Sequence, residues 1–257
     1  MAQELPTLVE FLKAGSHFGH RVGKWHPKMA PYIYTSRNGV HIINIEKTRD
    51  MLADALAFVR ALAARGGKII FVGTKRQASL VIRREAERVG MPFVDTRWLG
   101  GTITNFEVIA RVIEKYLTLK SQDAKGELGK YTKKEQVEIH RDITRMEGMV
   151  GGIQTLKSVP DALFVVDVKH ERTAVREALA KKIPIVAVSD TNTNPTGIAY
   201  PIPANDDALK SIEMITKLVA DAVLEGKAAA KEAAAAASAA HAPEVVAAEK
   251  GAASVNP

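Results

Sequence analysis

Residues 68–78, KIIFVGTKRQA, decide the fold class of this 257-residue chain. The run KIIFV is short, apolar and rich in β-branched side chains, which predicts a buried strand, and GTKRQ predicts the loop after it. A helical pattern then runs from about residue 78 to residue 89. A buried strand followed directly by a helix is the repeating unit of α/β proteins with a parallel sheet.

The same unit recurs on both sides of this stretch. Further strands are predicted at 40–45 (VHIINI), 92–94, 162–166 (ALFVV), 183–188 (IPIVAV) and 199–202, and further helices at 47–64, 171–181 and 206–224. Each strand is short and each helix carries apolar residues at helical spacing. We therefore expect an α/β fold in which a parallel sheet is covered by helices on both faces.

The alternation is interrupted between residues 104 and 153. Thr104 with Glu107, and Thr132 with Glu135, have the spacing of capping boxes at the start of two helices. Apolar residues then follow at alternating spacings of three and four, at Phe106, Ile109, Ile113 and Tyr116, and at Ile139, Ile143, Met146 and Val150. This pattern predicts an inserted antiparallel coiled-coil hairpin, and the alternative is two ordinary helices of the sheet domain.

The N-terminal segment is basic, and residues 11–45 contain no acidic residue. Glycines and prolines interrupt it and predict an irregular, extended arm. Cations attract phosphate and aromatic rings stack on unpaired bases, so the arm has the chemistry of an RNA-contacting surface. The alternative is an arm that packs its aromatic side chains on the protein's own core. The charged and aromatic residues of this segment include Lys13, Phe11, Phe18, Arg21, Lys24, Trp25, Lys28, Tyr32, Tyr34 and Arg37.

Two further loops add cations and an indole at strand ends. Lys75 and Arg76 follow the strand at 68–72, and Arg97 and Trp98 follow the strand at 92–94. Trp98 either faces RNA or packs inward, and the sequence does not favour one over the other. The predicted RNA-binding residues are Arg21, Lys24, Trp25, Lys28, Arg37, Lys75, Arg76, Arg97 and Trp98.

Motifs for catalysis and cofactor binding are weak. The turn VGTK at 72–75 lacks the spacing of a phosphate-binding P-loop. Asp167 and Asp190 follow predicted strands, so they could hold Mg²⁺ at the carboxyl edge of the sheet or serve as turn and capping residues, and their sequence context favours the second role. We expect no other cofactor, and no arrangement of serine, histidine and acid indicates an enzyme.

Composition and charge limit the remaining possibilities. The net charge is +7, and the absence of cysteine excludes disulfides and thiolate metal sites. The charges of residues 226–257 cancel, so the positive excess lies in residues 1–225. The sequence has neither a secretory signal pattern nor an apolar run of membrane-spanning length, so we expect a soluble cytoplasmic protein.

The chain is expected to divide into four parts. Residues 1–38 are the basic aromatic N-terminal arm, 39–103 and 154–226 form the α/β sheet domain, and 104–153 form the inserted hairpin. Residues 227–257 are rich in alanine and poor in large apolar side chains, so they cannot build a core. We expect this tail to continue the last helix briefly and then to be disordered.

Several long motifs resemble the family of the second protein of the bacterial small ribosomal subunit. They are AGSHFGHRVGKWHPKMAPYIY (14–34), RNGVHIINIEKT (37–48), FVGTKRQA (71–78), RWLGGTITNF (97–106), TKKE (132–135), PDALFVVD (160–167) and the DTNTNP and IPANDDA parts of 190–208. The resemblance is nearly collinear over residues 5–225 and does not include the tail. Thr193 stands where many members of the family have cysteine.

This resemblance implies a flavodoxin-like three-layer fold with an inserted coiled-coil hairpin, and a non-catalytic role in translation. It also implies binding to 16S ribosomal RNA and neighbouring proteins at the junction of the head and body of the small subunit. The family helps to recruit the first small-subunit protein, which captures messenger RNA. No membrane and no small-molecule substrate is implied.

Two other functions compete with this expectation. An enzyme or nucleotide sensor could use Thr74, Lys75 and the Asp167/Asp190 edge of a doubly wound sheet, because fold alone does not fix function. A protein-recruiting adaptor could use the hairpin or the arm, and this role is compatible with RNA binding.

Overall fold

The computed structural model describes residues 5–240, with side chains as far as residue 233, and this range contains seven α-helices and eight strands. In chain order they are α1 (Leu8–Ala14), β1 (Phe18–Arg21), β2 (Ile33–Arg37), β3 (Val40–Ile43), α2 (Ile45–Ala64), β4 (Ile69–Val72), α3 (Ser79–Val89), β5 (Phe93–Val94), α4 (Phe106–Ala124), α5 (Lys133–Val150), β6 (Ala162–Val166), α6 (Arg172–Ala180), β7 (Ile185–Ser189), β8 (Tyr200–Pro203) and α7 (Leu209–Ala240). Short 3-10 helices occupy Val22–Lys24, Pro27–Tyr32, Glu127–Lys130 and Gly151–Ile153.

Five strands form one parallel sheet in the order β5-β4-β6-β7-β8. Numbered by their succession along the chain, these strands lie in the order 2-1-3-4-5, which is the order of flavodoxin-like sheets. The strands predicted from 68–72 onward all belong to this sheet, and their bounds agree to within two residues. The predicted parallel sheet is confirmed.

Helices cover both faces of this sheet, because successive strand residues point to opposite sides. Ile69 and Phe71 of β4 pack in one apolar cluster with residues of α2, α3 and α7. Ile70 and Val72 pack in a second cluster with residues of α4, α5 and α6. The central strands are buried on both faces, as their unbroken apolar runs predict. The fold therefore has three layers, with the sheet in the middle.

The N-terminal segment is regular, so the prediction of an irregular arm is wrong. Thr7 and Glu10 form a capping box that begins α1, and Gly15 ends the helix in the left-handed conformation. Strands β1, β3 and β2 then form a small antiparallel sheet, in that order. The strand predicted at 40–45 therefore exists as β3, but it pairs within this small sheet and not with the parallel sheet.

The turn between β2 and β3 explains this difference. Asn38 and Gly39 both have positive φ angles, of 51° and 74°, as a two-residue type I′ hairpin turn requires. Asn-Gly between two apolar runs indicates a hairpin. The sequence-based prediction instead gave more weight to the alternation of strands and helices along the chain. The predicted domain boundary between residues 38 and 39 falls inside this turn.

The two helices predicted in the interruption are present as α4 and α5. The capping box of α5 at Thr132 and Glu135 is confirmed. The one predicted for α4 is wrong, because α4 begins after Asn105 and the Thr104 hydroxyl donates to Glu177 of α6 instead. The Thr104 hydroxyl bonds Glu177 and does not cap α4, because Glu177 also accepts hydrogen bonds from backbone N–H groups of the same loop and is held beside it.

Six of the eight predicted seam residues of α4 and α5 are buried, and Phe106 and Ile139 are partly buried. They belong to the second apolar cluster together with the sheet, so the base of the pair is part of the domain core. Tyr116 contacts Glu147, and Asp123 contacts His140, so the two helices run in opposite directions. Coiled-coil packing of this pair stays a prediction. The buried seam residues are Ile109, Ile113, Tyr116, Ile143, Met146 and Val150.

The last helix continues into the alanine-rich tail. The apolar pattern predicts the helix to residue 224 with a brief continuation beyond it, and α7 continues to Ala240. Lys227 donates a hydrogen bond to the carbonyl of Val89, which holds this continuation against the end of α3. The disorder predicted for the tail concerns residues 241–257, which lie outside the described residues.

Replacing Gly152 with alanine should destabilise the protein. A Cβ at Gly152 would clash with the backbone carbonyl of Phe93 in β5, where the neighbouring chain cannot move aside freely. We expect Gly152→Ala to lower the free energy of unfolding by about 1–3 kcal/mol, measured by urea denaturation.

Gly148→Ala is the matched control. Gly148 lies in α5, and a Cβ there would meet no atom within 4 Å. This variant should be neutral or should stabilise the protein by about 0.5–1 kcal/mol, because alanine favours helices over glycine. Equal destabilisation by both variants would contradict the close approach of Gly152 to β5.

Candidate nucleic-acid interface

The small antiparallel sheet exposes two arginines at one end. Arg21 of β1 and Arg37 of β2 both lie opposite Val40 of β3. Directly opposed residues project from the same face, and the outer strands of a three-stranded sheet are about 10 Å apart. Both arginines are exposed, and neither forms a salt bridge within residues 5–240. Two uncompensated cations therefore stand side by side on this sheet.

The 3-10 segments between β1 and β2 add two lysines and an indole. Lys24 and Lys28 are exposed, and the Lys28 ammonium donates to the Thr196 hydroxyl at 2.8 Å. The Trp25 ring lies 5.3 Å from the His41 ring and remains 38% exposed. A partly covered indole beside free cations is suited to stacking on an unpaired base.

Thr191, just after β7, fixes the small sheet to the parallel sheet. Its hydroxyl accepts the backbone N–H of His20 at 2.8 Å, and its carbonyl accepts that of His26 at 2.8 Å. A Cβ at Gly19 would lie 2.6 Å from the Thr191 methyl group, so glycine permits the close approach. The basic surface is therefore held at the carboxyl edge of the sheet and is not a free arm.

His20 reinforces this attachment through two carboxylates. Its Nδ1 lies 3.0 Å from Asp190 and its Nε2 lies 3.6 Å from Asp207. The hydrogen bond to Asp190 raises the pKa of His20 above its ordinary value, although partial burial acts in the opposite direction. Sequence reasoning missed this contact, because the partners are remote in the chain and no local pattern joins them.

Lys75 is ion-paired within the protein, which argues against its predicted role in RNA binding. Its ammonium group lies 3.1 Å from Asp167, 3.0 Å from Asp206 and 2.5 Å from Asp207. Burial lowers the pKa of Lys75, but the bond to Asp207 and the charges of Asp206 and Asp167 outweigh burial and raise it. The Lys75 charge is thus neutralised within the protein and is unavailable to a phosphate.

The carboxylates predicted as a magnesium site have protein partners. Asp167 accepts from Lys75 and from the backbone of His170, and Asp190 accepts from the backbone and hydroxyl of Thr191. Burial raises the pKa of Asp206, and the charges of Asp167 and Asp190 add to this effect. Asp167 and Asp190 are therefore already engaged by a lysine and by N–H and O–H donors, and magnesium at these two residues stays a prediction.

Trp98 packs inward, which corrects its predicted role in stacking on RNA. It is only 7% exposed, and its indole N–H donates to Glu177 at 3.1 Å. The same carboxylate accepts the backbone N–H groups of Gly101, Ile103 and Thr104 at 2.8–3.1 Å. Burial raises the pKa of Glu177, but these hydrogen bonds outweigh burial and hold the pKa below its ordinary value.

Arg76 and Arg97 are exposed at the carboxyl edge, and neither forms a salt bridge in the part of the chain that the structure describes. Seven of the nine predicted RNA-binding residues therefore lie on the surface, namely Arg21, Lys24, Trp25, Lys28, Arg37, Arg76 and Arg97. Lys75 and Trp98 do not. RNA contact by the seven exposed residues stays a prediction.

A comparison with protein families decides the identity. The family described as Ribosomal protein S2 matches residues 11–226, which is most of the chain. The chain belongs to the ribosomal protein S2 family. Members of the ribosomal protein S2 family are structural proteins of the small ribosomal subunit and not enzymes, so the basic surfaces are those of a translation component. Within residues 5–240, no helix has the length and apolar character needed to cross a bilayer.

Removing the Glu177 charge should destabilise the S2-family domain. Glu177→Gln replaces a carboxylate that accepts from five donors with an amide whose own N–H groups would face those donors. We expect the free energy of unfolding at pH 7 to fall by about 2–4 kcal/mol, measured by urea denaturation.

The pH dependence provides the internal test. The pKa of Glu177 is lowered in the folded state. The ionised carboxylate therefore makes its full contribution to the free energy of unfolding above the unfolded-state pKa of about 4.3, and this contribution is lost as the pH falls through the folded-state pKa. The difference between the wild type and Glu177→Gln should therefore narrow below about pH 4. Glu114→Gln, at an exposed position of α4, removes the same charge and should change stability little. A similar loss in both variants would contradict the role of Glu177.

Proposed function

We propose that this protein binds 16S ribosomal RNA through its small antiparallel sheet and is a structural constituent of the small subunit at the junction of head and body. The observation that carries this proposal is the acid-free segment of residues 11–45, which folds into a surface with exposed, unpaired cations. Membership of the ribosomal protein S2 family supports the ribosomal RNA as the partner.

The physical basis of binding is charge neutralisation. Each lysine or arginine that neutralises a phosphate releases condensed counterions, so affinity falls steeply as salt rises. Arg21, Lys24 and Arg37 supply charge, while Trp25 supplies a stacking surface. Because the small sheet is fixed to the carboxyl edge of the parallel sheet, these groups are held in place before RNA binds.

Membership of the family supports protein partners beyond RNA. We include neighbouring small-subunit proteins, among them the first protein, which captures messenger RNA, and we place the protein in the cytoplasm where translation occurs. The paired helices α4 and α5, proposed as a coiled coil, carry exposed cations that can serve RNA or protein contacts. Those that form no salt bridge within residues 5–240 include Arg111, Lys115, Lys133, Lys134 and Arg141.

Nucleotide binding at the carboxyl edge receives no support from the geometry. The Thr74 N–H and hydroxyl both donate to Glu171, at 2.7 and 2.6 Å. Lys75 is held by three aspartates. The two residues proposed for phosphate binding in an enzyme or sensor are therefore already engaged within the protein.

Replacing three cations of the small sheet and of the segment between β1 and β2 should weaken association with small subunits. We expect the triple variant Arg21→Ala, Lys24→Ala, Arg37→Ala to fold normally, because all three side chains are exposed. Its binding should weaken by tenfold or more, on the order expected for lost phosphate contacts, and the slope of log affinity against log salt should fall by about 2–3. Sedimentation through magnesium-containing sucrose gradients at several salt concentrations measures both.

A second triple variant controls for the loss of charge alone. Arg65→Ala, Lys68→Ala, Lys181→Ala removes the same charge from exposed positions at the amino edge of the sheet. It should co-sediment as the wild type does. Unchanged binding of the small-sheet variant would reject the proposed RNA-binding surface, and migration of the wild type as free protein at all salt concentrations would reject the ribosomal function.

A further inference from the structure

The outward face of α6 carries cations and no exposed acid. Arg172 and Arg176 are four residues apart, so they lie on the same side of the helix, and both are exposed. The opposite side packs Ala174, Val175 and Ala178 into the second apolar cluster. The sequence of α6 is close to neutral, but the side that faces solvent is positive.

The two acids of this segment are buried and engaged. Glu171, which precedes the helix, is 4% exposed and accepts both the N–H and the hydroxyl of Thr74. Glu177 is 8% exposed and accepts from the loop that contains Trp98 and Thr104. Neither carboxylate is therefore available to pair with Arg172 or Arg176, and the hydrogen bonds to other loops hold both away from solvent.

This arrangement distinguishes α6 from every other α-helix within residues 5–240. Each of the others exposes at least one carboxylate, for example Glu10, Glu46, Glu87, Glu107, Glu135 and Glu232. On α3, the three arginines all form salt bridges. Arg172 and Arg176 form none in the described part of the chain, so their charges are not compensated by the protein.

Loops that carry exposed cations contact α6. The bonds between Thr74 and Glu171 bring the loop of Arg76 against the start of α6. The bond between Trp98 and Glu177 brings the loop of Arg97 against its middle. Lys169 is exposed just before the helix. Loops after three strands thus converge on α6, and each contributes an exposed cation.

We propose that the outward face of α6, with Lys169, Arg172 and Arg176 at its centre, is a second binding site for the phosphodiester backbone of RNA. Guanidinium groups bind phosphate oxygens through paired hydrogen bonds, which suits two arginines one helical turn apart. The site is separate from the small antiparallel sheet, which is attached through Thr191 after β7. The inference rests on the proposed ribosomal RNA function and adds a second contact surface to it.

RNA fits this surface better than a protein partner does. Protein interfaces have an apolar core with aromatic anchors and a depleted charge. The outward face of α6 offers Leu179 as its exposed large apolar side chain, and its other exposed positions include the two arginines. A polyanion that releases counterions is therefore the partner that its chemistry recognises.

The test compares three full-length double variants for binding to small subunits depleted of this protein, across a series of potassium chloride concentrations. Arg172→Ala, Arg176→Ala should weaken binding about tenfold or more and lower the salt slope by about 1.4–1.8, as expected for two phosphate contacts. Arg172→Lys, Arg176→Lys should retain most of the slope. Lys210→Ala, Lys217→Ala removes two exposed cations from α7 on the other face of the sheet and should bind as the wild type does.

The outcomes separate this inference from the function on which it rests. If the α6 alanine variant binds as tightly as the wild type while the small-sheet variant is impaired, the α6 site is wrong and the proposed function stands. Weaker binding of the α6 alanine variant with an unchanged salt slope also overturns a phosphate site. If the wild type fails to bind depleted subunits, both proposals fail. Thermal denaturation of each variant confirms that the fold is retained.

Discussion

The Lys75 ammonium group joins the loops at the carboxyl edge of the parallel sheet. It follows β4, yet its partners are Asp167 after β6 and Asp206 and Asp207 after β8. A carboxylate as buried as Asp206 is costly unless a cation and hydrogen bonds compensate it, so the loops can adopt this conformation only together. Asp190 and Asp207 then pair with His20, and this contact attaches the small antiparallel sheet to the same edge.

Burial of acids also determines the surface charge. Asp167, Asp190, Asp206, Glu171 and Glu177 are all buried and hold lysine, histidine or N–H donors of other segments. Their negative charge is compensated inside the protein, whereas Arg21 and Arg37 of the small sheet and Arg172 and Arg176 of α6 are exposed and form no salt bridge within residues 5–240. The solvent-facing charge is therefore more positive than the net charge of +7 suggests, which suits a protein that binds a polyanion.

The strand order would allow a different use of the fold. In doubly wound sheets, ligands bind in the crevice at the carboxyl ends of the strands, where the strand order reverses. That position lies between β4 and β6, and here Thr74, Lys75, Asp167 and Glu171 fill it with contacts to one another. The crevice that binds cofactors in other doubly wound proteins is thus filled here by contacts that hold the loops in place. This fits the structural role of the ribosomal protein S2 family.

The sequence by itself determined the parallel sheet, most helix bounds, the seams of α4 and α5, and the family, because apolar periodicity and long motifs are local signals. It also determined which segment is basic. The local Asn38-Gly39 signal also indicates the hairpin of β2 and β3. Tertiary structure decided that Thr104 donates to Glu177 and that Lys75 and Trp98 turn inward. Their partners lie about 70 to 130 residues away in the chain, and whether a cation meets solvent or a buried carboxylate depends on which loops converge. Residue type fixes the charge of a side chain, but only the folded arrangement fixes what compensates that charge.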